Sequence, residues 1–342
     1  MPTAAEVLQR NMSRTERRNL NSALRWAGMR PIVKCGIEAC SHCQLNCVGC
    51  YMRKWPRQMG ILKFDAFKEF VRLNPSIEEI ELSNDGEIFL NPELIEIIKY
   101  AYVRDIRLTA NNGTNFNTVS EQVLRTLVEY RFCSITISID GSSPESYAKY
   151  RRGGNFDTVI SNIQKLNEYK AMLRKGTPDL AWQYIILEST DDETEIKRAK
   201  EMANALHMRI YFKKDLNGYQ PKNPAMIVSE CELSYGKDFS TYAMSPVAGV
   251  KGRCLPCFQM FVAPRIGYDG SFIGCCAGWK KLPAPNCFEA NLDKIMSSDI
   301  VKKIRAMVQG GPVVPESSCV DCAFFKEMSA TKNYVRDEEL ES

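Results

Sequence analysis

The chain has 342 residues, more than one compact core usually holds, so a large domain accompanied by a smaller one is expected. A composition of 44% hydrophobic and 25% charged residues is that of a soluble globular protein, and a net charge of +4 points to neither nucleic acid nor a membrane surface as a partner. No run approaches the roughly 18 apolar residues of a membrane span, and the N-terminus lacks a signal-peptide core, so the expected location is cytoplasmic.

Residues 1–31 carry Arg10, Arg14, Arg17, Arg18, Arg25 and Arg30 among Leu8, Leu20, Leu24 and Trp26. This spacing predicts one or two amphipathic helices, either a solvated cap or a basic arm for an acidic substrate. Over 32–214 short β-rich runs alternate with helical patterns. The strands are expected at 32–37, 78–83, 105–110, 133–139, 181–187 and 208–212, and the helices at 64–72, 92–102, 120–129, 156–170 and 193–206. Six strands, each followed by a helix or long loop, imply a mainly parallel α/β sheet with right-handed crossovers. The strands at 135–139 and 182–187 read as uniformly apolar and suited to burial on both faces. Residues 215–253 lack periodicity and read as a linker, 254–330 as a small cysteine-rich domain, and 331–342 as an acidic tail.

Fourteen cysteines are too many for background use and too few for a disulfide scaffold. Five lie between 35 and 50 and eight between 231 and 322. In a reducing compartment such grouping suggests metal ligands or redox chemistry. Cys133 stands alone and reads as a small buried hydrophobe. Cys43, Cys47 and Cys50 offer three thiolates at C-x3-C-x2-C spacing. A [4Fe–4S] cluster has four irons, normally held by four cysteines, so three leave one iron open to another ligand. Zinc loops also use close cysteines.

Further motifs follow in order at later strand ends. Asn84-Asp85-Gly86-Glu87-Ile88 comes after the second strand and Asn111-Asn112-Gly113 after the third. Ser138-Ile139-Asp140-Gly141 ends the fourth, and Tyr150-Arg151-Arg152-Gly153-Gly154 follows it. Singly, each has a plain alternative as a cap, a turn or a solvated arginine. Together with the cysteine loop they resemble the radical S-adenosylmethionine (SAM) superfamily.

That resemblance implies a partial (β/α)6 TIM-like barrel whose SAM-binding [4Fe–4S] cluster sits on Cys43, Cys47 and Cys50. It implies SAM contacts from Tyr51, Gly86, Glu87, Asn112, Ser138 and Asp140, with Arg152 pairing the SAM carboxylate. The sequence departs from the family's Gly-Gly-Glu-Pro element at Asp85 and Ile88 and keeps its central Gly86-Glu87.

Toward the C-terminus, Cys257 is followed by twelve residues, Gly270, four residues and Cys275, and Cys319-x2-Cys322 closes the set. This resembles the SPASM/twitch modules of radical SAM enzymes. No cysteine follows Cys322, which implies the shorter twitch form, a small α+β domain with one auxiliary [4Fe–4S] cluster on Cys257, Cys275, Cys319 and Cys322. Structural zinc on the same thiolates is the rival. Cys254 also fits the gap to Gly270, and Cys276 adjoins Cys275. Cys35, Cys40, Cys231, Cys276 and Cys287 are unassigned, either inert or, for one of them, a hydrogen-atom donor as in epimerases. Only His42 and His207 are available to histidine chemistry. Trp55, Tyr184 and Lys213 are candidate pocket residues by their place at strand or loop ends.

The implied reaction is reductive cleavage of SAM to a 5′-deoxyadenosyl radical, which abstracts a hydrogen atom from a C–H bond. Substrates of two classes are open: a small polar metabolite such as a sugar or aminocyclitol, oxidised or rearranged, and a ribosomally made peptide, crosslinked or epimerised. Flavodoxin or ferredoxin is the expected electron donor. A non-enzymatic metal-binding module would not need the Gly86-Glu87 and Ser138/Asp140 elements.

Overall fold

The computed structural model describes residues 13–26, 31–50, 52, 58–214, 257–275 and 280–336. Seven strands form one sheet: β1 Lys34–Ile37, β2 Glu79–Glu81, β3 Arg107–Thr114, β4 Ser134–Ser138, β5 Asp179–Ile186, β6 Arg209–Lys214 and β7 Arg265–Ile266. Their order is β6-β5-β4-β3-β2-β1-β7, and every neighbouring pair is parallel. From β1 to β6 each strand lies beside its predecessor. Right-handed crossovers in that order place all the connecting helices on one face and leave the other open, the layout of a partial (β/α) barrel.

The helices are α1 Arg14–Trp26, α2 Phe64–Leu73, α3 Leu94–Val103, α4 Glu121–Glu129, α5 Pro144–Tyr150, α6 Phe156–Met172 and α7 Glu193–Ala205, followed by α8 Gln259–Val262, α9 Leu292–Met296, α10 Asp299–Val308 and α11 Ala323–Thr331. Their starts are set by short polar caps. Ser120 accepts from Val123 N, Asp192 from Thr194 N and Glu195 N, and Ser143 forms a capping box with Ser146 next to Pro144. α5 was not among the expected helices.

Period-two alternation divides the sheet. Ile37, Ile80, Leu108, Ile135, Ile137, Trp182, Tyr184 and Phe212 are fully or almost fully buried in the apolar cluster with the helices. Each such side chain contributes roughly 1.5–3 kcal/mol. The opposite face is polar: Glu79 pairs with Lys34 at 2.5 Å and Arg107 at 2.7 Å, and Thr109 donates to Glu81 at 2.6 Å. β4 and β5 are buried on both faces, as expected, but they are not uniformly apolar, because Thr136, Ser138 and Gln183 occupy the polar side.

α1 covers the end where β2 and β3 begin. The Arg17 guanidinium donates to Pro75 O at 2.6 Å and Arg104 O at 2.9 Å, just beyond the C-termini of α2 and α3, where helix dipoles favour a cation. Asn21 donates to Ser76 O and to Glu78 Oε1.

Two features differ from expectation. Asn111–Gly113 is not a turn after β3. It belongs to the strand, as an irregularity where the pairing with β4 jumps between Ala110 and Thr114. And β7 adds to the edge of β1, so the C-terminal segment continues the sheet, with Phe258, Ile266, Phe272, Leu292 and Ile295 in the same apolar cluster. The stretch read as a linker lies outside the described residues.

Candidate active site

The C-terminal ends of the strands surround a cavity of about 740 Å³. Cys43, Cys47 and Cys50 all line it, together with Gly86, Glu87, Asn112 and Ser138. These residues come from the loop after β1, the turn after β2, the irregular end of β3 and the last residue of β4. Parallel strands bring their C-terminal ends to one side, which is why motifs spread over a hundred residues converge.

The cysteine loop is pinned from both sides. Asn46 N donates to Arg152 O at 2.8 Å and Val48 N to Tyr150 O at 3.0 Å, so the loop is bonded to the end of α5. Gly49 lies at φ +79 between Cys47 and Cys50, a conformation that favours glycine. Two sulfurs receive side-chain donors: Asn115 Nδ2 lies 3.6 Å from Cys43 Sγ, and Arg151 Nη1 3.5 Å from Cys47 Sγ.

Gly86 has φ +69, and a Cβ there would stand 2.3 Å from Cys40 O and 2.7 Å from His42 O. The turn after β2 thus lies directly against the backbone leading into the cysteine loop, and Glu87 N donates to His42 O at 2.8 Å. The Glu87 carboxylate is buried and accepts from Asn115 N at 2.5 Å and Phe89 N at 3.4 Å. Burial pushes its pKa up to about 7, against the opposing pull of these two N–H groups. Asp85 is also buried; desolvation and the neighbouring Glu38 raise it, and Arg265 opposes them.

Asn112 is held through its N–H, which donates to Ser83 Oγ at 3.0 Å. Gly113, at φ +113, leaves room for Ser138, whose Oγ would be 2.5 Å from a Cβ. Asp140 is fully buried and is absent from the cavity wall. Its Oδ1 accepts from Ile185 N at 2.7 Å, its Oδ2 from Arg151 Nε at 2.6 Å, and Arg151 Nη2 completes an ion pair. Arg152 is exposed. The guanidinium that lines the cavity belongs to Arg151, one residue earlier. Tyr51 and Trp55 lie outside the described residues. Lys213 lines the cavity, whereas Tyr184 is buried on the apolar face with its hydroxyl donating to Thr190 O.

Among the C-terminal cysteines, Cys275 and Cys319 are in hydrogen-bond contact, and Cys322 N donates to Cys319 O at 3.0 Å within one tight turn. Cys257 N lies 3.3 Å from Met328 Sδ. A hairpin turn lies around Asp269 and Gly270, with Gly267 N donating to Ser271 O, Gly270 at φ +79 and Ile266 bridged antiparallel to Phe272. Cys231, Cys254 and Cys276 lie outside the described residues. Cys35, Cys40 and Cys287 are buried. Among the described residues no three Cys, His, Asp or Glu side chains converge on one point as a single metal ion needs. An iron–sulfur cluster instead takes its thiolates on separate irons, and three cysteines around one cavity fit that demand.

Residues 37–172 match the family described as the Radical SAM superfamily. That stretch is a radical SAM domain. Over 142 residues it is 26% identical to the antilisterial bacteriocin subtilosin biosynthesis protein AlbA of Bacillus subtilis, covering 40% of this chain and 31% of that protein. Over 132 residues it is 30% identical to a probable GTP 3',8-cyclase of Methanococcus maripaludis, covering 37% and 42%. The chain therefore spans less than half the length of these relatives. SuiB of Streptococcus suis, solved with S-adenosylmethionine, shares the fold over 90% of this chain and 75% of its own, with TM-score 0.61 and 14% identity. The structure of anSMEcpe with AdoMet and a Cp18Cys peptide shares it with TM-score 0.55 and 16% identity, over 87% and 88%.

Around this cavity, sequence reasoning missed Asn115, Gln183 and the role of Arg151. Asn115 lies just past the third motif, and its amide bridges Gln44 and the Cys43 sulfur. Gln183 follows the period of the polar face, which a search for apolar strands overlooks. No helix among the described residues is long and apolar enough to cross a membrane.

Proposed function

We propose that this protein is a C–H functionalising radical SAM enzyme that oxidises or rearranges a small polar metabolite of the sugar or aminocyclitol kind. The observation that carries the reading is the meeting of Cys43, Cys47 and Cys50 with Gly86, Glu87, Asn112 and Ser138 around one cavity. When bound, the cluster and SAM supply a 5′-deoxyadenosyl radical that removes a hydrogen atom from the substrate. The chain's own residues hold and orient. Cys43, Cys47 and Cys50 hold the cluster, Gly86 keeps the backbone close to the loop, and Glu87, Asn112 and Ser138 face the SAM space. Arg151, and not the expected Arg152, brings its guanidinium to the cavity wall, where Asp140 holds Nε and Nη2 and Nη1 faces the Cys47 sulfur, so it steadies the cluster loop. Leu45, Met52, Met59 and Tyr150 line the cavity with apolar surface that limits water. Asn84, Asp85, Gln183 and Lys213 give it the polar contacts of a hydrophilic substrate.

Cys257, Cys275, Cys319 and Cys322 form the ligand set for one auxiliary [4Fe–4S] cluster in this reading, and a flavodoxin or ferredoxin delivers electrons. Identity to the subtilosin biosynthesis protein favours a second reading, maturation of a ribosomally made peptide.

Anaerobic reconstitution with iron and sulfide tests the proposal. About eight irons per chain, four for each cluster, and 5′-deoxyadenosine release from SAM and dithionite are expected. Deoxyadenosine release that survives Cys43→Ala, Cys47→Ala and Cys50→Ala together would overturn it. About four irons with zinc retained would remove the auxiliary cluster. Deuterium passing into deoxyadenosine from a labelled peptide, and from no labelled sugar or cyclitol, would select the second reading.

A further inference from the structure

A second cavity, of about 400 Å³, lies on the polar face of β1, β2 and β3 beneath α8 and β7. Its volume is in the range of small-molecule sites. Its walls include Lys34, Gly36, Glu81, Asn112, Gln259 and Arg265, and Asn112 also lines the cysteine cavity, so one side chain separates the two.

The polar groups here are unevenly satisfied, and the shortage is of acceptors. Arg265 is only 4% exposed, yet its Nη1 has no hydrogen-bond partner among the described residues, and neither does the buried Asn112 Nδ2. A buried donor without an acceptor forfeits its desolvation cost, so a guanidinium and an amide left this way mark a place where an acceptor is missing. Glu81 does not fill it. Its two oxygens already take Ser83 N, Ser83 Oγ, Thr109 Oγ1 and Asn111 N.

Arg265 is also deliberately accommodated. A Cβ on Gly36 would stand 2.5 Å from Arg265 Cδ and 2.6 Å from Nη1, so the side chain lies flat over β1 only because residue 36 has none. The arginine reaches this face from β7, paired with β1 through Gly36 itself. Asp85 feels this charge: Arg265 opposes the rise that burial and Glu38 impose on its carboxyl.

We propose that this second cavity seats the anionic end, a carboxylate or a phosphate, of the substrate whose C–H bond faces the cysteine cavity. Arg265 and Asn112 supply the donors, and a guanidinium suits either anion. The inference rests on the small-metabolite reading above and narrows it to acidic metabolites.

The test is anion binding by the reconstituted protein, titrated separately with inorganic phosphate and with succinate and followed by ligand line broadening and thermal midpoint. At least one anion is expected to bind, and the stronger arm tells phosphate from carboxylate. Arg265→Gln is expected to weaken that binding about 10- to 100-fold, the worth of a charge-assisted hydrogen bond, with SAM binding kept. Arg265→Lys should recover part of the loss. If Arg265→Gln yields no folded protein, Asn112→Ala in the same cavity should show a weaker loss in the same direction. Failure of the unmodified protein to bind either anion, or unchanged affinity in the folded variants, overturns the proposal. Anion binding needs no SAM cleavage, so a protein that binds phosphate but releases no deoxyadenosine would sink the radical reading and spare the anion site.

Discussion

Asp140 and Arg151 are buried together beneath the cysteine loop, and each is fixed by more than the other: Asp140 also accepts from Ile185 N, and Arg151 reaches the Cys47 sulfur. Removing one partner of such a pair strands a charge, at a cost of about 3–5 kcal/mol. Asp140→Asn should therefore lower unfolding free energy by about that amount in urea denaturation, and adding Arg151→Met should recover part of it. A loss below about 1 kcal/mol for Asp140→Asn would show that the pair is not held as described. Gly86 makes a different demand. With φ +69 and the Cys40 carbonyl 2.3 Å from any Cβ, Gly86→Ala forces the backbone under the cluster loop to move. Iron bound per chain should fall while far-UV circular dichroism is kept. Full iron loading in that variant would mean that the turn does not shape the loop. Residue roles of this kind were only partly legible in the sequence. Arg151 and Arg152 are adjacent and identical, and α5 ends at Arg151 as its cap, which turns that side chain inward and leaves its neighbour exposed.

At the scale of elements, the longer helices up to α7 were the most legible part, because apolar spacing and short polar caps name both the face and the start. The short α5 and the helices α8 to α11 of the cysteine-rich segment were not among those expected. The six strands β1 to β6 were legible too. The irregular end of β3 was not, since a register jump changes pairing without altering the pattern of residue types. β7 is two residues long and carries a buried arginine, so nothing in its composition distinguishes it from a turn. Tertiary pairing made it a strand. A contact between α2 and α3 offers an element-level test. Glu93, the residue before α3, accepts from Phe64 N at 2.6 Å and from Lys63 Nζ at 3.1 Å, so it caps the start of α2. These bonds, that to Phe64 N first, hold its pKa below the ordinary glutamate value. A depressed carboxylate contributes stability above its unfolded-state pKa and loses it as pH falls through the folded one. Glu93→Gln should accordingly be less stable than the parent protein at neutral pH. The gap should close as pH drops below the usual carboxylate range, measured by thermal midpoints across pH. A gap independent of pH would assign the effect to packing instead.

For the molecule as a whole, the C-terminal segment is bound to the barrel by specific bonds as well as by apolar burial. Asn74 lies at the end of α2 and is 3% exposed. Its Oδ1 accepts from Leu292 N at 2.7 Å, its Nδ2 donates to Phe70 O, and Phe70 meets Phe288 edge-to-face. Asn74→Ala leaves Leu292 N without its acceptor and should cost about 1–3 kcal/mol in unfolding free energy. Protection of the Leu292 amide from hydrogen exchange should fall with it, and unchanged protection would separate the two halves. The pairing of β1 with β7 has a consequence for synthesis. The strand that precedes the cysteine loop leaves the ribosome before the one that covers its free edge, which follows more than two hundred residues later. Until then, the growing chain displays three cysteines beside an unpaired strand edge, the kind of surface that recruits other strands. The order of translation thus leaves the edge of β1 open to misassembly until the C-terminal segment is made and covers it.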